Sequence, residues 1–170
     1  MQADERHQGR RQSTLTEFDL RALLEALHSH DISFIVIGGV AVGAHGFIRG
    51  TEDLDLVPES DPDNLQRLAV VLEELDATLP TVDDRPFDPA RDAGVIRRGG
   101  NVTASTRLGA LDVVQRAQGV PSYAQLAEDA VESELLGVPV RVCSLRRLRE
   151  MKRAQSRTQD LLDLENLPED

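Results

Sequence analysis

The run Ile32-Ser33-Phe34-Ile35-Val36-Ile37 stops at Gly38-Gly39, and this junction constrains the fold more than any other stretch. A short, apolar, β-branched run suits a strand buried on both faces, which needs further strands beside it and helices over it. The small residues from Val40 to His45 predict a short, closely packed helix ended by Gly46. Upstream, Leu20, Leu23, Leu24 and Leu27 follow the i, i+3, i+4, i+7 spacing of an amphipathic helix, with Thr16 as its expected cap and Asp19 as an acidic first-turn partner. Downstream, Leu54 to Val57 reads as a second strand. Asp61-Pro62 then opens a helix with Leu65, Leu68, Ala69, Leu72 and Leu75 on one face.

Residues 80–93 carry three prolines and several Asp and read as a loop. Val95-Ile96, Val102 to Thr106 and Ala110 to Val114 are expected as short strands, the last two joined around Arg107-Leu108-Gly109. Ser122 to Ala130 reads as a helix, Val138 to Val142 as a strand after a turn at Gly137. Helices over about Leu145 to Ser156 and Gln159 to Leu167 follow. The fold class is α/β (α+β): one mixed sheet flanked by helices, with two C-terminal helices. Residues 1–13 are polar and aperiodic and are expected to be a disordered tail, leaving 14–170 as a single domain.

With 40% hydrophobic residues, the 170-residue chain can build a core. Aromatics are only 3% with no Trp, so that core must be Leu, Val, Ile and Ala. No apolar run approaches the roughly 20 residues that cross a bilayer, and no secretory pattern opens the chain. Cys143 is the sole cysteine and cannot form an internal disulfide, so it is expected to be a buried small hydrophobe. From these features a cytoplasmic protein without a membrane partner is expected. The net charge of -11 excludes a surface that coats nucleic acid. Residues 141–157 are the exception, with seven basic side chains against Glu150, and they include Lys152, the only lysine. A local anion site on an acidic body is the pattern to explain.

The same junction suggests the chemistry. A strand running into a Gly pair that opens a helix leaves free backbone N–H groups facing outward, which suits a phosphate. Strand period puts Asp53 and Asp55 on one face, with Leu54 and Leu56 turned to the core. Carboxylates that close repel one another unless a cation sits between them, and hard oxygens favour Mg²⁺. Asp112 adds a third from another strand, opposite Leu111 and Val113. Three carboxylates beside a phosphate cradle are what a two-metal phosphoryl or nucleotidyl transfer needs. Lys152 falls four residues past Leu148 and seven past Leu145, on the buried edge of its helix, where its stem can pack while the ammonium reaches inward.

Gly38-Gly39, Asp53-Leu54-Asp55 and Asp112 together resemble the nucleotidyltransferases of the DNA polymerase β superfamily. The phrase GGVAVGAHGFIRGTEDLDL is similar to a branch of minimal bacterial enzymes that includes abortive-infection and type IV toxin–antitoxin nucleotidyltransferases. The stretch MKRAQSRTQDLLDLENL is similar to that branch's C-terminal signature of a Lys, an Arg and two Asp. The resemblance implies transfer of an NMP from an NTP to an acceptor hydroxyl. Gly38 and Gly39 would contact the β- and γ-phosphates, Asp53 and Asp55 would hold two Mg²⁺ ions, and Asp112 would bind the catalytic ion and help deprotonate the acceptor. Lys152 would neutralise the triphosphate. Arg49 and Thr51 match the family phrase as nucleotide-binding residues, with Arg49 either on a phosphate or bracing Asp53. Arg157 and Asp160 are additional candidates, and either Asp160 or Asp163 could be a further catalytic carboxylate, pair with Arg157 or cap a helix. The pattern departs at Gly39, where many superfamily members have a Ser whose hydroxyl contacts the triphosphate. The acceptor is left open between an RNA end such as tRNA, a protein hydroxyl and a small molecule such as an antibiotic. A cognate antitoxin is an expected partner, and a catalytically silent regulatory or antitoxin-type module is the alternative.

Overall fold

The computed structural model describes residues 17–169; the expected tail over 1–13 and the expected cap Thr16 lie outside that span. Helix α1 (Leu20–Ser29) is capped by Asp19, whose side chain accepts from the Ala22 N–H at 2.9 Å, so Asp19 is the cap and not a first-turn partner. The chain then runs through β1 (Phe34–Ile37), α2 (Gly38–Ala44), β2 (Asp53–Pro58) and α3 (Pro62–Glu74). It continues with α4 (Pro89–Arg97), β3 (Val102–Thr106), β4 (Gly109–Val113), α5 (Tyr123–Ala127) and β5 (Val131–Leu135). It closes with β6 (Val138–Val142), α6 (Leu145–Gln155) and α7 (Thr158–Asn166).

The six strands form one mixed sheet in the order β3-β4-β2-β1-β6-β5. Strand β2 pairs antiparallel with β1 and parallel with β4, while β6 joins the other side of β1 in parallel. Strands β3 and β5 close the two edges, each antiparallel to its neighbour. The mixed α/β architecture expected from the sequence is therefore present. Leu54, Leu56, Leu111 and Val113 on the two parallel strands, with Ile35 and Val36 on β1, are all at most 2% exposed. Each such side chain contributes roughly 1.5–3 kcal/mol of burial, and together they fix the register that the site depends on.

Two expectations fail, for local reasons. Val95-Ile96 is not a strand; it is the last part of α4, which Asp88 caps and Pro89 opens, and which turns Ile96 inward while leaving Val95 half-exposed. The Asp-Pro start, inside a segment read as loop, outweighs the β-branched pair. Strand β5 was not expected. It pairs with β6 through the two-residue turn Leu136-Gly137, where both residues have positive φ, at 52° and 81°. That is the backbone of a type I′ hairpin, adopted here without the usual Asn-Gly signal. Helix α5 is correspondingly shorter than the reading of Ser122 to Ala130.

Candidate active site

The acidic cluster is built by strand period and register. Along β2, Asp53 and Asp55 are half-buried while Leu54 and Leu56 are sealed in the core. In the parallel pairing of β2 with β4, Asp55 lies directly across from Asp112 and Asp53 across from Ala110. The same row continues to Ile37 on β1 and to Thr103 on β3. Each of Asp53, Asp55 and Asp112 offers one carboxylate oxygen within 4.8 Å of the others.

Burial raises the pKa of Asp55 to about 7, and the charges of Asp53 and Asp112 add to the effect. Asp112 is raised as well, again chiefly by burial. Its Oδ1 is buried without a hydrogen-bond partner. An orphaned carboxylate oxygen beside two more carboxylates is a donor set suited to a cation, and all-oxygen donors of this kind fit Mg²⁺. The cluster thus meets the chemical requirement for metal that the sequence suggested.

Gly38 has φ +68°, and any Cβ there would collide with Asp55 Oδ2, so the Asp55 carboxylate lies directly against the Gly38 backbone. The chain enters α2 at this point. Gly39 is crowded differently, by Thr51 and Arg49. Thr51 Oγ1 donates to Asp53 Oδ1 at 3.0 Å, so the residue two before the carboxylate holds its rotamer.

Facing the acids is a cluster of cations held by buried carboxylates. Lys152, only 5% exposed, donates to Asp160 at 2.9 Å and lies 2.9 Å from Asp163, and both acids are fully buried. Arg49 binds Asp163 through Nε at 2.7 Å and Nη2 at 2.9 Å. Arg157 donates to Asp160 from its Nε at 2.8 Å and its backbone N–H at 3.1 Å. Burial alone would raise the pKa of Asp163, yet the hydrogen bonds from Arg49 and Lys152 bring it down to about 2. Asp160 is also held low, by Arg157 and Lys152 against the same burial. Lys152 and Arg157 both lower the Asp55 pKa, which places their charge toward the acids.

This arrangement corrects one reading and sharpens others. Arg49 does not brace Asp53; its partner is Asp163 on α7. Asp160 caps α7 and pairs with Arg157, both of which the sequence allowed. The Lys152 stem is buried as its helical position implied, but its ammonium is already matched by two carboxylates. The basic α6 is less open to a polyanion than its composition suggests, because Arg146 and Arg147 pair with Asp129, Glu128 and Glu150. His45 contacts the Cys143 carbonyl through Nε2 at 2.8 Å, outside the acidic cluster. Cys143 is fully buried, its thiol pushed up to about 12 by that burial.

Two adjoining cavities share Gly38, Asp55, Asp112, Lys152 and Arg157. One, of about 300 Å³, is polar and adds Gly39, Arg49, Thr51 and Asp53. The other, of about 230 Å³, sets Asn101, Thr103 and Gln155 against Val114, Val120 and Met151. Sequence reasoning did not single out Asn101, Thr103 or Gln155; among these, only Thr103 stood one hairpin from Asp112, the one local signal that could have found it.

No protein-family model matches the chain, and no curated protein matches it significantly by sequence. Solved structures do match, and the fold is nucleotidyltransferase-like. A nucleotidyltransferase candidate of Thermotoga maritima superimposes with TM-score 0.54 at 12% identity, over 86% of this chain and 88% of that one. The antibiotic-resistance factor ANT(2'')-Ia, in a complex with adenylyl-2''-tobramycin, gives TM-score 0.54 at 17% identity, over 84% of this chain and 82% of that chain. Its solution structure gives 0.55 at 18% identity, over 84% and 77%.

Proposed function

We propose that this protein is a metal-dependent nucleotidyltransferase that moves an NMP from an NTP to an acceptor hydroxyl. The observation that carries the reading is the meeting of Asp53, Asp55 and Asp112 from adjacent parallel strands, against the Gly38 backbone and opposite Lys152 and Arg157. Asp53, Asp55 and Asp112 would hold the divalent cations, two Mg²⁺ by the family resemblance, whose chemistry is charge neutralisation at the reacting phosphate. Gly38 and Gly39 would present backbone N–H groups to the β- and γ-phosphates. Lys152, Arg49 and Arg157 supply positive charge over the polar cavity, where a pyrophosphate leaving group gathers negative charge.

In the transfer, the acceptor oxygen bonds to the α-phosphorus as the bond from that phosphorus to the pyrophosphate oxygen breaks. The acceptor's proton passes to a carboxylate oxygen of Asp112, which stands at the border of the two cavities. Thr51 keeps Asp53 oriented throughout. The carboxylates repel one another in the free protein, and a module without turnover gains nothing from keeping them, which favours an active enzyme over a silent one.

The acceptor lies beside Asp112, in the cavity lined by Asn101, Thr103 and Val120. That cavity has room for a small molecule or for one terminal residue of a larger chain. The resemblance to the abortive-infection and toxin–antitoxin branch favours an RNA end or a protein hydroxyl, with a cognate antitoxin as partner. The pairing of Arg146 and Arg147 with acids, and the adenylylated tobramycin of the ANT(2'')-Ia complex, favour a small molecule as second reading. Incubation with each α-labelled NTP and Mg²⁺, against total RNA, cell extract protein and an antibiotic panel, tests the proposal. Label should move to one acceptor class with wild-type protein and to none with Asp55→Asn. No transfer and no Mg²⁺-dependent NTP binding would overturn it.

A further inference from the structure

Gly39 poses a question that the nucleotidyl-transfer reading, on which this inference rests, does not answer. Its backbone is not in the left-handed region, so a side chain would be conformationally allowed. Glycine inside a helix is also less favourable than alanine. The obstacle is space. A Cβ at position 39 would lie 2.8 Å from Thr51 Oγ1 and 3.2 Å from both Thr51 Cβ and Arg49 Nη2. Neither neighbour is free to yield. The Thr51 hydroxyl is spent on Asp53 Oδ1 at 3.0 Å. The Arg49 guanidinium is gripped by fully buried Asp163 through Nε and Nη2, and its Nη1 donates to the Gly50 carbonyl at 3.0 Å.

A guanidinium carries five N–H donors, and these contacts use three. One hydrogen on Nη2 and one on Nη1 are left, and Arg49 lines the polar cavity together with Gly39, Asp53 and Lys152. We propose that Arg49, locked in place by Asp163, is the triphosphate donor at the position where a side chain on residue 39 would otherwise act, with Asp163 as its positioning residue. A planar guanidinium held from behind offers phosphate oxygens two directed N–H groups, and it loses little rotamer freedom on binding. Thr51 has the complementary part: it fills the space over Gly39 while fixing Asp53. Gly39 is glycine because this pair has taken its side-chain volume.

The test is calorimetric titration with Mg²⁺-tripolyphosphate, which carries the phosphates without a nucleoside, alongside Mg²⁺ with each NTP. Arg49→Gln, which leaves Asp163 still paired with Lys152, should weaken tripolyphosphate binding roughly tenfold, the loss expected for one charge-assisted donor. Asp163→Asn should weaken it similarly. Gly39→Ser adds a hydroxyl yet should also weaken binding, because it displaces Thr51. Gly39→Ser with Thr51→Ala should bind more tightly than Gly39→Ser alone. The thermal shift produced by Mg²⁺ alone should be the same in Arg49→Gln as in wild type, which a generally disordered site could not show. Unchanged tripolyphosphate affinity in Arg49→Gln, or wild-type affinity in Gly39→Ser, overturns the inference. A wild-type protein that binds neither tripolyphosphate nor any NTP overturns the nucleotidyl-transfer reading itself, and is a different result.

Discussion

Asp55→Asn should make the metal-free protein more stable at alkaline pH while abolishing transfer. Burial and the neighbouring Asp53 and Asp112 charges raise the Asp55 pKa from 3.8 to about 7 in the folded protein. The folded state therefore holds a proton that the unfolded state has released anywhere between those values. Stability falls as pH rises through that window, and the loss is complete above about 7. At 1.36 kcal/mol per unit, a shift of about three units sets a ceiling of about 4 kcal/mol. Water at the half-open site and relaxation of the carboxylates reduce this to about 1–2 kcal/mol. For a chain of this length, that is a rise in Tm of about 2–8 °C. Differential scanning in EDTA should show the rise at pH 8 and almost none at pH 3, where Asp55 is protonated in the folded and the unfolded chain alike. Mg²⁺ should raise the wild-type Tm at pH 8 and remove most of the variant's advantage. A variant less stable than wild type at pH 8, or equally shifted at both pH values, would refute this account and make Asp55 a structural residue.

Removing the lysine from the buried cluster should damage the fold as well as the rate: Lys152→Ala leaves Asp160 and Asp163 short of a cation and should cost about 3–5 kcal/mol in urea unfolding. Lys152→Arg should recover part of that stability and less of the transfer rate, read by steady-state kinetics. Gly38→Ala should eliminate transfer and lower Tm, since its Cβ meets Asp55 Oδ2 at a positive φ; a variant with wild-type kinetics would remove Gly38 from the site. Asp92, held below the usual carboxylate range first of all by Arg85, should contribute stability at neutral pH that begins to decline below about pH 4 and is lost only as pH falls through its depressed folded value. Asp92→Asn should accordingly cost about 1–3 kcal/mol at pH 7 and most of that still at about pH 4, the difference closing only in stronger acid as the folded carboxylate itself takes up a proton.

The acidic half of the site could be read from the sequence because it is a local pattern. Period two on Asp53-Leu54-Asp55-Leu56 and on Leu111-Asp112-Val113 states which side chains face out, and a buried parallel pairing leaves little freedom of register. The cationic half offered Arg49, Lys152 and Arg157 as candidates, but its pairing could not be read, since Arg49 and Asp163 are separated by 114 residues and meet only through the packing of α7. The same distinction separates the elements. Helices α3 and α6 carry caps and apolar stripes within a few residues. Strand β5, by contrast, is a polar edge whose Val-Glu-Ser-Glu-Leu becomes a strand only because β6 is beside it. Val95-Ile96 misleads because a β-branched pair carries less weight than the Asp-Pro start six residues earlier.

The two halves of the site also become available at different moments of synthesis. Strands β2 and β4 can pair and gather the three carboxylates once residue 113 has been made. Strand β1 lacks its outer neighbour until β6 is complete, and Arg49 and Lys152 lack their acidic partners until Asp160 and Asp163 follow. At roughly 10 residues per second, about 50 residues of synthesis leave the nascent chain for some 5 seconds with an acidic cluster and no ordered cations opposite it. The cationic half of the site is thus withheld until the last helices dock, and a chain interrupted before α7 carries the three carboxylates without the ordered cations that face them.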